Sequence, residues 1–304
     1  MFHARRLEGC VRFDTIHYPR YDRLLRMNES STVHYDRAGE AYWTQLWSQA
    51  DLPRPVDPRD RSLRNHVRRA FDRYFRSHLV RPDDRGKRLL EVGCARSGWL
   101  GYFVREHGLA VTGLDYSEIG CRQSEAMLAR DGVPGEILHG DLFDPPAACV
   151  GAFDFVTSFG VVEHFEDTAA CLRALRRMLK PQGRIYTLIP NQIGMMGAVQ
   201  RALDRRFWEM HVPLDAAALE AAHVAAGFRV VHGGYFMSSN FGVLNCSTYA
   251  ADSMAARVRG IVRLGFVAAS AAGWLVEDAL GVALPPSRAL SPYAHCVAIN
   301  DSTS

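Results

Sequence analysis

From Lys87 onward the chain alternates two textures: short apolar runs, and stretches in which apolar positions recur every three to four residues. Short apolar runs bounded by turn signals read as buried strands, and the longer spacing reads as amphipathic helix. The pattern predicts strands at Arg88–Gly93, Ala110–Asp115, Glu136–Asp141, Phe153–Phe159, Arg184–Pro190, Phe228–Phe236 and Tyr293–Ile299. Between them it predicts helices at Gly98–Glu106, Ser117–Arg130 and Thr168–Lys180, the last stopped by Pro181–Gly183. Asp215 caps a further helix that runs to Ala226 and ends at Gly227. Ahead of the first strand, Glu40–Gln49 and Leu63–Val80 have helical spacing. Leu264–Val276 is a 13-residue apolar run, shorter than the roughly 20 residues a membrane span needs. It reads as a buried or capping helix, or alternatively as an interfacial one. Strands alternating with helices imply parallel pairing and an α/β, doubly wound sheet. The expected division is a helical front at 1–85, a core at 86–237, a helical insert at 238–290, and a last strand and tail at 291–304.

In such sheets ligands bind beyond the carboxyl ends of the strands. Three acids fall there. The first strand ends in Glu91-Val-Gly93-Cys-Ala95-Arg-Ser97-Gly98, a turn of small residues that lets backbone approach a ligand, with a carboxylate at its base. The second ends in Asp115, placed to accept the hydroxyls of a ribose. The third ends in Asp141, beside Leu142, where an acid can accept from an exocyclic amine. Gly93-x-Ala95-x-x-Gly98 is also close to a dinucleotide-binding fingerprint. Glu91 argues against that reading, since it would repel a pyrophosphate but tolerate a cationic ligand.

These segments resemble a known family. LLEVGCARSGWL, GLDYSE, GDLF, FDFVTSFGVVEHF and LKPQGRIYTLIPN are similar to the motifs of class I S-adenosylmethionine-dependent methyltransferases, most of all the small-molecule branch typified by ubiquinone-biosynthesis methyltransferases. The resemblance covers roughly 86–237 plus the last strand. It implies a Rossmann-like, seven-stranded sheet whose antiparallel last strand inserts between the fifth and sixth. It also implies S-adenosylmethionine as cofactor and no metal. Gly93 and Ala95 would pass beneath the methionine portion, and Glu91 would lie near the amino group. Asp115 would hold the ribose, Tyr116 would lie against the adenine, and Asp141 and Leu142 would bind its edge. The Phe159–Gly160 backbone would face the sulfonium. Ala95 and Ser97 stand where glycines are usual, but both are small.

Methyl transfer is an in-line displacement in which the protein aligns the reactants and excludes water. A base helps when the acceptor is a hydroxyl or a protonated amine. His164 is the first candidate, with a second-layer role as the alternative. Asn191 ends the fifth strand and would orient an acceptor or cap the turn. Trp208, Met210 and His211 fall in the following loop, where His211 would bind acceptor or act as base. Trp43 and Trp47 share one helix face, from which Trp43 would cover the sulfonium through cation–π contact or simply pack.

Composition narrows the partners. At 304 residues and 48% hydrophobic, the chain is neither a small disulfide scaffold nor disordered as a whole. Of 36 basic residues only Lys87 and Lys180 are lysine. Residues 1–90 carry 19 basic against 12 acidic residues, a net +7. This could serve an anionic partner, an RNA-directed methyltransferase being the alternative reading, but no recognised RNA-binding motif accompanies it. Cofactor binding without methyl transfer is a third reading. Seven cysteines without zinc spacing, and no apolar leader at Met1–Arg6, suggest a reducing cytoplasm. The acceptor expected is a small, partly hydrophobic molecule, with nucleic acid disfavoured, no transmembrane span, and a homodimer possible.

Overall fold

The computed structural model describes residues 36–48, 50–246, 248 and 253–301. Much of the front segment, Cys10 and the expected helix end at Gln49 lie outside them. Helix α1 spans Glu40–Ser48 and α2 spans His66–Tyr74. The sheet then begins with β1 (Arg88–Val92), followed by α3 (Trp99–Tyr102), β2 (Ala110–Asp115), α4 (Glu118–Asp131), β3 (Glu136–His139) and β4 (Phe153–Phe159). The chain continues through α5 (Thr168–Met178), β5 (Leu179–Pro190), α6 (Met195–Leu203), α7 (Arg205–Glu209) and α8 (Ala216–Ala225). It closes with β6 (Arg229–Phe236), α9 (Met254–Leu280) and β7 (Tyr293–Ile299).

The strand order is β3-β2-β1-β4-β5-β7-β6. The first five strands pair in parallel, and β7 pairs antiparallel with both β5 and β6. This is the doubly wound, Rossmann-like α/β sheet expected, with the last strand inserted as anticipated. Successive strand residues point to opposite faces, and the two main cores follow that alternation. Leu90 and Val156 join Leu172, Leu175 and Leu219 from α5 and α8. Leu89 and Phe155 join Phe71, Tyr74, Phe75, Tyr102 and Phe103 on the other face. The segment ahead of β1 thus supplies aromatic side chains to the same core as the sheet.

Several boundaries differ from expectation for reasons that lie far away in sequence. The helical stretch 63–80 is broken into a short 3-10 turn, α2 and a π turn at Phe75–Leu79. The helix expected over 98–106 becomes α3 followed by a π turn at Phe103–His107. Pro181–Gly183 does not separate helix from strand: β5 starts at Leu179 and carries a bulge through these residues. Asn300 holds this extension, its side-chain amide donating to Lys180 O at 3.1 Å while Gln182 N donates to Asn300 O at 2.8 Å. The loop expected to hold Trp208, Met210 and His211 is largely helical, containing α6 and α7. The apolar run at 264–276 is part of the 27-residue α9 and is not a buried helix: it lies on the body with Ser270 and Trp274 buried and most of its apolar side chains exposed.

The front segment is fastened by a charge. Buried Asp84 accepts from Arg81 N at 2.7 Å, Lys87 Nζ at 2.6 Å and Arg184 Nη1 at 3.1 Å, joining the β1 entry to β5. Removing one partner of a buried ionic group leaves the others uncompensated. Asp84→Ala should therefore lower unfolding stability by roughly 2–4 kcal/mol in urea titration. An unchanged midpoint would show that this network contributes nothing net.

Candidate active site

A cavity of about 410 Å³ opens beyond the carboxyl ends of β1, β2, β4 and β5. Its base is the turn after β1. Gly93 has φ +74°, and a Cβ there would collide with Val161 Cγ2 from the turn after β4. The next turns are tied to β2: Ala95 N donates to Asp115 Oδ2 at 2.9 Å, and Ser117 N donates to Asp115 Oδ1 at 2.8 Å. Arg96 also takes a positive φ, 59°. Three contacts hold it: its N–H donates to Ser124 Oγ at 3.1 Å, its guanidinium lies 5.2 Å from the Trp47 ring, and that group also binds Asp51 O.

Gly93, Ala95, Asp115, Tyr116, Asp141, Leu142, Phe159, Gly160 and Trp43 all line the cavity, as do His164 and His211. Asp141 lies two residues beyond the end of β3 and accepts from Phe143 N at 2.9 Å. The Tyr116 hydroxyl donates to Asp36 Oδ2 at 2.9 Å. Trp43 stacks on Trp47 with ring centres 5.3 Å apart, and its edge meets the His164 ring at 5.3 Å. Helix α1 is docked by Thr44 Oγ1 and Ser117 Oγ at 2.9 Å, and by Gln123 Nε2 donating to Trp47 O at 2.8 Å.

Glu91 is buried beneath the β1 turn and does not line the cavity wall. Burial, with Asp115 nearby, pushes its carboxyl up to about 8 against an opposing hydrogen bond from Ser97. Asn191 requires correction. It does not face the cleft: its amide donates to Arg288 O and Ser291 O, each at 2.9 Å, and its carbonyl accepts from Gly194 N at 3.1 Å. Both amide hydrogens thus pin the 288–291 segment and the carbonyl caps the turn at Gly194, away from the cavity lining. Trp208 likewise lies outside the cavity lining, beneath Arg201.

Beside the sulfonium position expected near Gly160 lies a buried cluster. One donor atom from each of Glu163, His164 and His211 falls within 4.8 Å of the others. Such a set has the ligand types for a divalent cation and equally those for proton transfer. His164 Nδ1 is 2.8 Å from Met210 O, and His211 Nδ1 is 2.9 Å from Phe207 O. A carbonyl only accepts, so Nδ1 carries the hydrogen in each ring and Nε2 is the basic atom. Burial lowers the His164 pKa, and burial together with His164 lowers that of His211 to about 3. Burial pushes Glu163 up to about 8. Both Glu163 carboxyl oxygens and Glu91 Oε2 are buried without a hydrogen-bond partner among the described residues.

A family profile described as a methyltransferase domain matches residues 60–233. The chain belongs to this methyltransferase family. The ubiquinone biosynthesis O-methyltransferase of Pseudomonas aeruginosa (strain LESB58) is 30% identical over 101 residues, 33% of this chain and 43% of the relative. The chain thus spans less than half the length of that curated relative. Among solved structures, the (4+2)-cyclase SpnF is similar with a TM-score of 0.57 and 17% identity, over 88% of this chain and 96% of that one. A geranyl diphosphate C-methyltransferase from Streptomyces coelicolor A3(2), solved with Mg2+, geranyl diphosphate and S-adenosyl-L-homocysteine, is similar with a TM-score of 0.50 and 13% identity. That similarity covers 84% of this chain and 96% of the other. At these identities the two structures speak for the fold of the methyltransferase alone.

Sequence reasoning did not find Asp36, Met196, Gln200 or Phe207, all of which line the cavity. Met196 and Gln200 are four apart on α6, a spacing that signals one helix face once the segment is recognised as helical. Asp36 carries no local signal, being placed by its bridge to Phe165 and its bond to Tyr116.

Gly93→Ala should lower stability by about 2–4 kcal/mol, combining left-handed backbone strain with the Val161 overlap. Adding Val161→Ala should restore the overlap part alone, visible as partial recovery in a double-mutant cycle. Full recovery, or none, would contradict this division.

Proposed function

We propose that this methyltransferase transfers a methyl group from S-adenosylmethionine to a nucleophilic atom of a small, partly hydrophobic acceptor bound in the same cavity. The observation that carries the reading is a set of buried acids at the strand ends: Glu163 in the cavity wall with both oxygens unpartnered, Glu91 beneath the β1 turn with Oε2 unpartnered, and Asp115 in the wall between them. Buried unpaired acids are costly. They fit a ligand bearing ammonium and sulfonium charges, and they oppose one bearing a pyrophosphate. When bound, S-adenosylmethionine supplies a methyl group already activated by its sulfonium.

The chain's own residues then divide the work. The Gly93–Ala95 turn lets main chain approach the ligand, with Glu91 beneath it for the ammonium. Asp115 retains lone pairs beyond its two main-chain bonds and takes the ribose hydroxyls; Tyr116, Asp141 and Leu142 take the adenine. Trp43 and Trp47 cover the cavity and exclude water. His164 Nε2 receives the proton of the acceptor, His211 orients it, and Glu163 balances the charge that develops. The apolar side chains of Met196, Phe207 and Val243 line the acceptor side.

Two measurements check this. A cation binds the ionised carboxyls, so affinity for S-adenosylmethionine should climb as pH rises toward about 8 and level beyond it. Calorimetry should detect proton release, and Glu91→Gln should weaken binding by about tenfold or more while flattening that pH dependence. A pH-independent affinity would sink the assignment of these acids. For the chemical step, His164→Ala should lower kcat by roughly 10²–10⁴ with the cofactor Kd little changed. Because burial lowers the His164 pKa, the wild-type rate should persist below the usual histidine midpoint, where an exposed base would already be protonated. Equal turnover by the variant would remove His164 from the mechanism.

A further inference from the structure

Helix α9 is built inside out. Over its exposed side stand Val258, Ile261, Val262, Leu264, Leu275 and Val276, with Ile261 71% and Leu264 65% exposed. Four of its polar side chains turn toward the protein instead. Arg259 Nε donates to Leu203 O at 2.7 Å and Arg263 Nε donates to Leu244 O at 2.8 Å. Ser270 Oγ accepts from Phe241 N at 2.8 Å, and Glu277 pairs with His66 at 3.0 Å. A soluble helix ordinarily presents the opposite arrangement to water, and an apolar face of this extent marks an interaction site.

Charge selects the occupant. The α6–α7 junction that Arg259 grips carries exposed Arg201 and Arg206, and exposed Arg257 stands on the first turns of α9. Among the described residues no acid forms an ion pair with any of these three. At the other end of the helix, Asp278 is engaged by Arg69 at 3.0 Å and by His66 at 3.4 Å. The face is therefore apolar with a cationic rim, and the exposed acids near it on α7 and α9, Glu209 and Asp278, are already paired with Arg205 and Arg69. A second copy would bring the same three unpaired cations to the contact, and its acids Asp278 and Glu209 are already committed to Arg69 and Arg205.

We infer that α9 seats the protein on an anionic lipid bilayer, lying in the surface with Ile261 and Leu264 inserted and the rim arginines at the headgroups. By length and composition the 27-residue helix could cross a membrane. Crossing would carry Arg259, Arg263 and Glu277 into hydrocarbon and break every bond that holds the helix to the body. Lying flat keeps those bonds and buries only the apolar side. Phe266 of α9 packs in the same cluster as Met196 and Val243, two residues of the cavity wall, so the seated face is one layer of side chains from the cavity. The inference rests on α9 and the arginines beside it and stands whether or not the methyl-transfer reading holds.

The test uses the full chain in sedimentation with phosphatidylcholine vesicles, with and without phosphatidylglycerol. Binding should require the anionic lipid and weaken with salt. The double variant Ile261→Glu/Leu264→Glu should abolish it, and Arg206→Glu should weaken it about fivefold or more. Circular dichroism should be unchanged for both, since the altered side chains are exposed. A tryptophan placed by Val258→Trp should shift its emission to the blue on anionic vesicles, giving a readout on an otherwise intact face. Absence of vesicle binding by the wild-type chain, or equal binding by the double variant, overturns the inference. So does a sedimentation-velocity dimer that Ile261→Glu/Leu264→Glu dissociates, which would give the face to a second copy.

Discussion

One carboxylate fixes the frame on which the cavity is built. At the end of β2, Asp115 spends an oxygen on the main chain of the β1 turn and the other on the residue that caps α4. Two neighbouring strand ends are thereby held at one separation. The lid refers to the same point: Ser117, which Asp115 holds, meets Thr44 of α1, and the adjacent Tyr116 meets Asp36. Burial raises the pKa of Asp115, while the two main-chain bonds oppose the rise. Floor and lid of the cavity are both measured from one residue.

Around that frame the chain tolerates arrangements that a stability-optimised protein avoids. Gly93 and Arg96 both adopt left-handed backbone in one turn, and Arg96 does so at a cost that its contacts with Ser124, Asp51 and Trp47 must offset. Glu91 lies buried with one oxygen unpartnered and Glu163 with both, and burial pushes each carboxyl up to about 8. The folded chain therefore holds more protons than the unfolded one between the ordinary carboxyl range and that value, so these groups make stability fall as pH rises across the window. A cationic ligand reverses the penalty, because it favours the ionised form. Strain and orphaned charge concentrate where binding can relieve them.

The strands were legible because each is a short apolar run closed by turn residues, and β2, β4 and β7 have the limits the pattern predicts. The turn chemistry was legible too, since small residues and acids at strand ends are local features. What escaped depends on contacts made across the fold. The start of β5 is set by Asn300, more than a hundred residues away. Asn191 occupies the position expected of a cleft residue, yet the returning 288–291 segment takes both of its amide hydrogens and Gly194 N binds its carbonyl. The π turns at 75–79 and 103–107 continue a helical apolar spacing, which is why period alone did not separate them from α2 and α3. Asp36 entered the site through a tertiary bridge, for which no pattern in the chain exists.

The same division explains how fold and reaction come apart. A protein named for (4+2) cyclisation shares this architecture, so the sheet and its strand-end turns do not by themselves choose a chemistry. At the other end of the cavity Glu163, His164 and His211 meet the apolar side chains of α6 and its neighbours. Part of that wall, from Asp36 to Trp47 and at Val243, lies outside the residues matched by the family. The wall at Val243 and Met196 is backed by α9 through Phe266, while the arginines and serine of that helix bind the body and its apolar residues face outward. The matched residues thus supply most of the cavity, from the strand-end turns to the Glu163–His164–His211 cluster, and the chain adds Asp36, α1 and Val243 from outside them.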